Sequence, residues 1–436
     1  MKTLGNRLRK VPPGAAVKIL RRGFLLPTSA ARLLFNDILK PEKWHRQWIY
    51  KVRWNQGWWG GWIGENINKL DHDGMMNRIA RADVILFHVH GGGFRLGKYN
   101  MFMDSCIQLL RVLKVKFNVD ALIMSAEHRL SPEYKYPSAT EDIVHAYDHL
   151  INKLNVDPSR VICIGGSTGA AVILEMLFIT HDPGLFEIQV DNVEGGQAEA
   201  IAPELPRPAS LILSSPLVTD KTTSESWITN TKYDYINQDT AKKIIDEYFE
   251  EPTPDISPDA NRLLGIADLQ TGYNAFLPQT LMFVGNREVL RDDALDFAHK
   301  AEQDGVRWET VIEECAHDYF FVREVVKDKK ILEKIDDIFA DFVYRTVIGP
   351  CHEEVRSFRQ ASEGLAAVPE EEQQDDTSYD DSATSEDEFH EALTMTLDYN
   401  QSSTTAVSEQ SSKVSTMSNR TSVSNSKKKS SMTIYV

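Results

Sequence analysis

Residues 160–180, RVICIGGSTGAAVILEMLFIT, constrain this chain more than any other stretch. The apolar run Val161–Ile164 ends in glycines. Gly165-Gly166-Ser167-Thr168-Gly169 then opens onto strong helix formers. The pattern is strand, very tight turn, helix, with one serine at the apex. Positions without Cβ let such a turn reach unusual φ/ψ values and let strand and helix pack closely. Over five residues, an ordinary glycine-rich turn between a buried strand and a helix looks the same. The surrounding chain separates the two readings.

On both sides of this stretch, short apolar runs alternate with helical periodicity. Strands are expected at Ala82–His90, Asp120–Ala126, Ser210–Ser214, Gln279–Gly285 and Val306–Glu314. Helices are expected at Asn100–Phe117, Pro137–Leu154, Arg291–Asp304 and Phe320–Thr346. ADVILFHVH is continuously apolar, as a parallel strand buried on both faces must be. The alternation predicts an α/β fold, a mostly parallel central sheet flanked by helices. With 42% apolar residues the chain has enough core for it. The expected catalytic domain is 81–347, with a surface insertion at 183–207 and a polar lid or cap segment at 218–278. Four scattered cysteines, Cys106, Cys163, Cys315 and Cys351, carry no disulfide framework and no zinc spacing.

Charge is distributed unevenly. The net value of −16 argues against general nucleic-acid binding. Residues 1–36 hold eight Lys/Arg and no acid. Residues 1–80 are expected to form a basic amphipathic segment followed by a tryptophan-rich cap, with Trp44, Trp48, Trp54, Trp58, Trp59 and Trp62 close together. The basic part can cover the enzyme body, lie in a membrane interface through residues 1–62, or act as a mitochondrial transit peptide. No apolar stretch reaches the length of a spanning helix, so the expected location is intracellular, cytoplasmic or peripheral on lipid membranes. Residues 348–436 turn acidic, then Ser/Thr-rich, and are expected to be disordered. Ser382 and Ser385 there stand beside acids, as substrates of an acid-directed kinase would, and the tail could serve partner binding.

A serine hydroxyl is a poor nucleophile until a base takes its proton and an acid holds that base. Gly-x-Ser-x-Gly is the nucleophile elbow of α/β-hydrolases, in which acid and then histidine follow in the chain. Five histidines follow Ser167, and His317 alone sits in a loop just past a predicted strand. The acid belongs after the strand ending at Gly285, where Glu288 comes first and Asp292 is the alternative. Asp292 also suits a first-turn acid of the next helix. The tetrahedral oxyanion needs backbone N–H donors already aimed at it. Gly92 and Gly93 of His90-Gly91-Gly92-Gly93-Phe94, with the N–H of Thr168, are the candidates. His88 and His90 lack a third ligand, so no metal is expected.

These residues resemble the hormone-sensitive-lipase-like α/β-hydrolases. The resemblance rests on His90-Gly91-Gly92-Gly93-Phe94, on Arg129-Leu130-Ser131-Pro132-Glu133 with Pro137, and on Glu288-Val289-Leu290-Arg291-Asp292. With Ser167 and His317 they span about residues 60–345 in the family's order. The finer likeness, including Trp58-Trp59-Gly60-Gly61-Trp62-Ile63, is to fungal steryl-acetyl-hydrolase and arylacetamide-deacetylase members. It implies a serine carboxylesterase with no cofactor, a cap over an apolar pocket, and small apolar ester substrates, acetylated lipids or sterols among them. Departures stand at Gly166, where the family usually has Asp, at Ala170, at Glu288 in place of Asp, and at His128 in place of Tyr. The rival expectations are a weak or inactive ligand receptor on this fold and an interaction protein working through its tail.

Overall fold

The computed structural model describes residues 11–53, 57–183, 203–249, 263–349 and 433–435. Trp54, Cys351, Ser382, Ser385, most of the 183–207 insertion and nearly all of the 348–436 tail lie outside the described residues.

In chain order the helices are α1 (Pro13–Leu25), α2 (Thr28–Ile38), α3 (His72–Arg81), α4 (Met103–Phe117), α5 (Ser138–Asp148), α6 (Thr168–His181), α7 (Glu225–Thr229), α8 (Gln238–Tyr248), α9 (Tyr273–Phe276), α10 (Arg291–Gln303) and α11 (Lys329–Val343). The strands are β1 (Ile49–Val52), β2 (Gly60–Ile63), β3 (Val84–Val89), β4 (Ala121–Ala126), β5 (Val161–Gly166), β6 (Ser210–Ser214), β7 (Gln279–Gly285), β8 (Trp308–Glu313) and β9 (Thr433–Tyr435). They form one sheet in the order β1-β2-β4-β3-β5-β6-β7-β8-β9. β1 pairs antiparallel with β2, and β2 with β4, while every pairing from β4 to β9 is parallel.

The sheet is covered on both faces because its central strands are apolar on both. Ile85, Phe87 and Val89 of β3 join Cys163, Met282 and Val284 in one core, with Ile143 and Tyr147 of α5 and Phe297 of α10. Val84 and Leu86 face the other way with Ile162, Ile164, Leu281 and Phe283, against Leu109 of α4 and Phe339 of α11. This is the period of two that a pleated strand imposes. α6 is apolar nearly all round, as a helix enclosed by its neighbours must be. It docks so closely under β3 that a Cβ on Gly169 would collide with the carbonyls of Val89 and His90.

Two expectations are corrected. Residues 49–63, read as part of a tryptophan-rich cap, supply two strands to the sheet edge. Trp48, Trp58 and Trp62 are buried there, while Trp44 stays 40% exposed. The last helix does not begin at Phe320. A 3₁₀ turn, Arg323–Val325, precedes α11, whose first N–H groups are capped by Asp328 accepting from Lys330 N. Within the tail, the described residues Thr433–Tyr435 form β9. Three good strand formers lie there against the open edge of β8.

Candidate active site

The elbow is sharp. Ser167 has φ 54° and ψ −121°, a strained conformation for a residue with a Cβ. It is held by Ser167 N donating to Ser214 O at 2.9 Å and by Leu217 N donating to Ser167 O at 3.3 Å. The elbow thus hangs from the end of β6 as well as from β5 and α6. Gly166 is explained by its neighbour: a Cβ there would lie 2.6 Å from the Asp318 carboxyl. The carboxyl comes to this spot from the residue after His317.

Ser167 and His317 share one apolar cavity of about 60 Å³. Gly92, Gly93 and Asp318 line it. So do Leu20 and Phe24 of α1, Phe35 of α2, and Tyr235 and Ile244 of the 218–249 segment. A second cavity of about 30 Å³ also touches Ser167 and His317.

Glu288 follows β7 and is wholly buried. Its Oε2 accepts from Ser215 Oγ at 2.6 Å and from Gly285 N at 2.9 Å. Its Oε1 has no partner, and neither has Nδ1 of His317. Glu288 Oε1 and His317 Nδ1 are therefore not hydrogen-bonded to one another in this structure. Apo sites are often loose in this way and tighten around substrate. Burial, then the Asp234 charge, pushes the Glu288 pKa well above the usual carboxylate range. Burial alone pushes His317 down to about 3. Both act toward neutrality, so the imidazole is held in its unprotonated form.

Asp292, the alternative acid, points elsewhere. Its carboxylate accepts from Ser226 N at 2.7 Å and pairs with Arg291, tying α7 to α10. His90 braces the glycine loop, its Nδ1–H donating to Gly91 O at 2.8 Å, and its ring stacks on His128. Gly92 and Gly93 have φ of 123° and 66°, open to glycine alone. Gly93 N, an expected oxyanion donor, is engaged in this state: it donates to Thr168 Oγ1 at 3.0 Å. His88 is used inside the sheet, with Nδ1 on Ser125 Oγ at 2.8 Å.

Sequence reasoning missed four groups. Asp234 is wholly buried in the 218–249 segment. Its carboxylate accepts from Tyr235 N at 2.7 Å, Ile236 N at 3.4 Å, His317 N at 3.3 Å and Val289 N at 2.8 Å. It clamps the histidine loop to the acid loop. Ser215 bridges them again, accepting from Asp318 N at 2.8 Å while donating to Glu288. Ser214 Oγ donates to Asp318 Oδ1 at 2.7 Å. Arg95 is the fourth. It leaves the glycine loop fully buried to grip Glu247 of α8, Phe24 O, Leu26 O and Thr28 Oγ1. No short-range pattern marks these roles. The one available signal is Arg95 directly after the glycine-loop phenylalanine.

A sharp serine turn, a glycine loop and a histidine loop at the ends of parallel strands define a class. A family model described as an alpha/beta hydrolase fold matches residues 86–321, more than half the chain, and the chain belongs to that family. It is 30% identical over 230 residues to an esterase of Acinetobacter venetianus, covering 52% of this chain and 64% of that protein. It is 25% identical over 264 residues to the arylacetamide deacetylase of Rattus norvegicus, covering 51% and 64%. The chain thus spans less than two thirds of the length of these relatives. Within the family it sits in the hormone-sensitive-lipase-like branch. A solved esterase from the bacterial hormone-sensitive lipase family has the same fold, with a TM-score of 0.55 at 24% identity, over 78% of this chain and 99% of that one.

Proposed function

We propose that this chain is a serine ester hydrolase acting on apolar carboxylic esters with small acyl groups. The observation that carries this is the convergence of Ser167, His317 and the Gly92–Gly93 loop on one apolar cavity, with a second small cavity that also touches Ser167 and His317. An ester needs two such spaces, one for the acyl group and one for the alcohol. Ser167 Oγ attacks the carbonyl carbon and its proton passes to Nε2 of His317. The ester C–O bond breaks as His317 returns that proton to the leaving alkoxide. Water then attacks the acyl-enzyme through the same histidine and releases the carboxylic acid. Glu288 orients the imidazole, with Oε1 the free oxygen for Nδ1–H. Gly92, Gly93 and the Thr168 N–H hold the oxyanion. The deacetylase and esterase relatives support acetyl and other short acyl groups. Acetylated lipids or sterols fit the apolar walls.

We propose further that the first two helices contact a lipid surface. Ile19, Leu25, Leu33 and Trp44 are exposed on or just after the first two helices, next to the exposed Lys18, Arg22 and Lys43. A basic and apolar face of this kind suits a membrane interface. Among the described residues no helix is long and apolar enough to cross a membrane.

The unpaired Nδ1 and Oε1 favour one rival, a weak hydrolase or ligand receptor on the same fold. A fluorophosphonate probe decides. Stoichiometric labelling of the wild type, lost in Ser167→Ala together with p-nitrophenyl butyrate cleavage, is expected. Folded wild-type protein that neither labels nor cleaves would leave the receptor reading.

A further inference from the structure

Beside the ester cavity lies a larger one of about 470 Å³ that the proposed reaction does not use. The two share Phe35, Leu39, Gly97 and Met101 as lining residues, so they lie side by side. Their linings differ in kind. The ester cavity is mostly apolar, whereas the larger one is edged by Lys40, Arg46 and Lys98 with no carboxylate among its lining residues. None of these three cations makes a hydrogen bond or ion pair with a described residue. Nearby arginines are spent on structure: Arg32 holds Glu133, and Arg95 holds Glu247. In a chain of net charge −16, three unspent cations around one concave space run against composition. Like charges edging a cleft concentrate positive potential there, and an anion entering it relieves their repulsion. Arg46 adds a planar fork suited to carboxylate or phosphate.

We propose that this cavity is an anion subsite of the ester site: it holds a carboxylate or phosphate on the substrate's far end while the ester carbonyl lies at Ser167. The inference rests on the hydrolase reading above and names its substrate class, amphipathic esters with one anionic end.

The test compares p-nitrophenyl octanoate with mono-p-nitrophenyl suberate, which has the same acyl length and a terminal carboxylate. In the full chain, the variant Lys40→Gln/Arg46→Gln/Lys98→Gln changes positions that are exposed or half-buried, so folding is retained. The ratio of kcat/KM for the anionic ester to that for the neutral one should fall about tenfold in the variant, through KM. High salt should lower the same ratio in the wild type. Cleavage of the neutral ester should not change. An unaltered ratio overturns the inference. So does a variant whose defect is confined to sedimentation with phosphatidylserine vesicles, which would make the patch a lipid contact. Binding of monoethyl suberate to Ser167→Ala protein reads the subsite without catalysis. If the wild type cleaves neither ester yet this binding depends on the three cations, the hydrolase reading fails and the subsite stands. If that binding is absent as well, both fail.

Discussion

Thr168 carries a hydroxyl at the position whose backbone N–H should face the oxyanion. In the resting structure that hydroxyl accepts the Gly93 N–H, a second expected donor. An oxyanion must take this donor away from Oγ1, and the exchange costs the net value of one hydrogen bond, about 1 kcal/mol. Thr168→Val keeps the shape and removes the acceptor. Its kcat on p-nitrophenyl butyrate should rise about three- to fivefold, while the resting protein loses about 1 kcal/mol of stability through the freed N–H. Thr168→Ser should behave as wild type. A fall in kcat for the valine variant would mean that Oγ1 assists the oxyanion, and the proposal of a competing acceptor would be withdrawn. Ser167, His317, Glu288 and the glycines were legible in the sequence because each is bound to a strand end and a fixed chain order. Thr168 was legible only as a backbone donor. Its side chain matters through a contact 75 residues away, and no local pattern encodes that.

At the level of elements, the strands were readable from continuous apolar runs, and β1 and β2 were not. Each of those two is four residues long, too short to show a period, and β2 begins with two glycines, which weakens its strand propensity. The 218–249 segment was readable only as part of a polar lid or cap, yet it holds the clamp on the loops that carry His317 and Glu288. Arg21 of α1 donates to Thr231 O at 2.6 Å and to Asp234 O at 3.0 Å. Asp234 in turn holds His317 N and Val289 N. The N-terminal helices therefore brace the histidine and acid loops through one carboxylate. Asp234→Ala strands buried N–H groups, at about 1–3 kcal/mol for each one left unsatisfied. Thermal stability should fall, and kcat should fall about tenfold or more as His317 loses its register. Asp234→Asn keeps one acceptor oxygen and should recover much of kcat, which a purely structural loss would not separate from stability. Equal kcat in wild type and alanine variant would remove Asp234 from the positioning machinery.

Across the whole molecule, the same burial that packs both faces of the sheet also encloses ionisable groups of opposite tendency. His88, His128 and His317 are each pushed by burial from 6.5 down to about 3. Glu175 and Asp234 are pushed up to about 7, and Asp318 to about 8, by burial as the leading cause in each case. Linkage fixes the sign of each effect. A histidine with a depressed folded pKa binds fewer protons folded than unfolded, so its contribution is complete above 6.5 and is lost as the pH falls toward 3. A carboxyl with a raised folded pKa binds more protons folded. Its contribution is complete below its unfolded value of 3.8 or 4.5 and is lost as the pH rises to about 7 or 8. Between about pH 4.5 and 6.5 the two slopes oppose one another, and above 6.5 the carboxyl slope acts alone. The unfolding midpoint should therefore be nearly flat across mildly acid pH and should decline from about pH 6.5 to 8. The net charge of −16 pushes the same way as repulsion grows, so the wild-type curve cannot by itself assign the cause. Asp318→Asn separates them. It removes one titrating group of nearly unchanged shape and leaves the surface charge alone, so the decline should become shallower in that window. Differential scanning calorimetry across the range reads both curves. A wild-type midpoint that climbs toward pH 8, or parallel curves for the two proteins, would show that Asp318 is not held protonated beside the elbow.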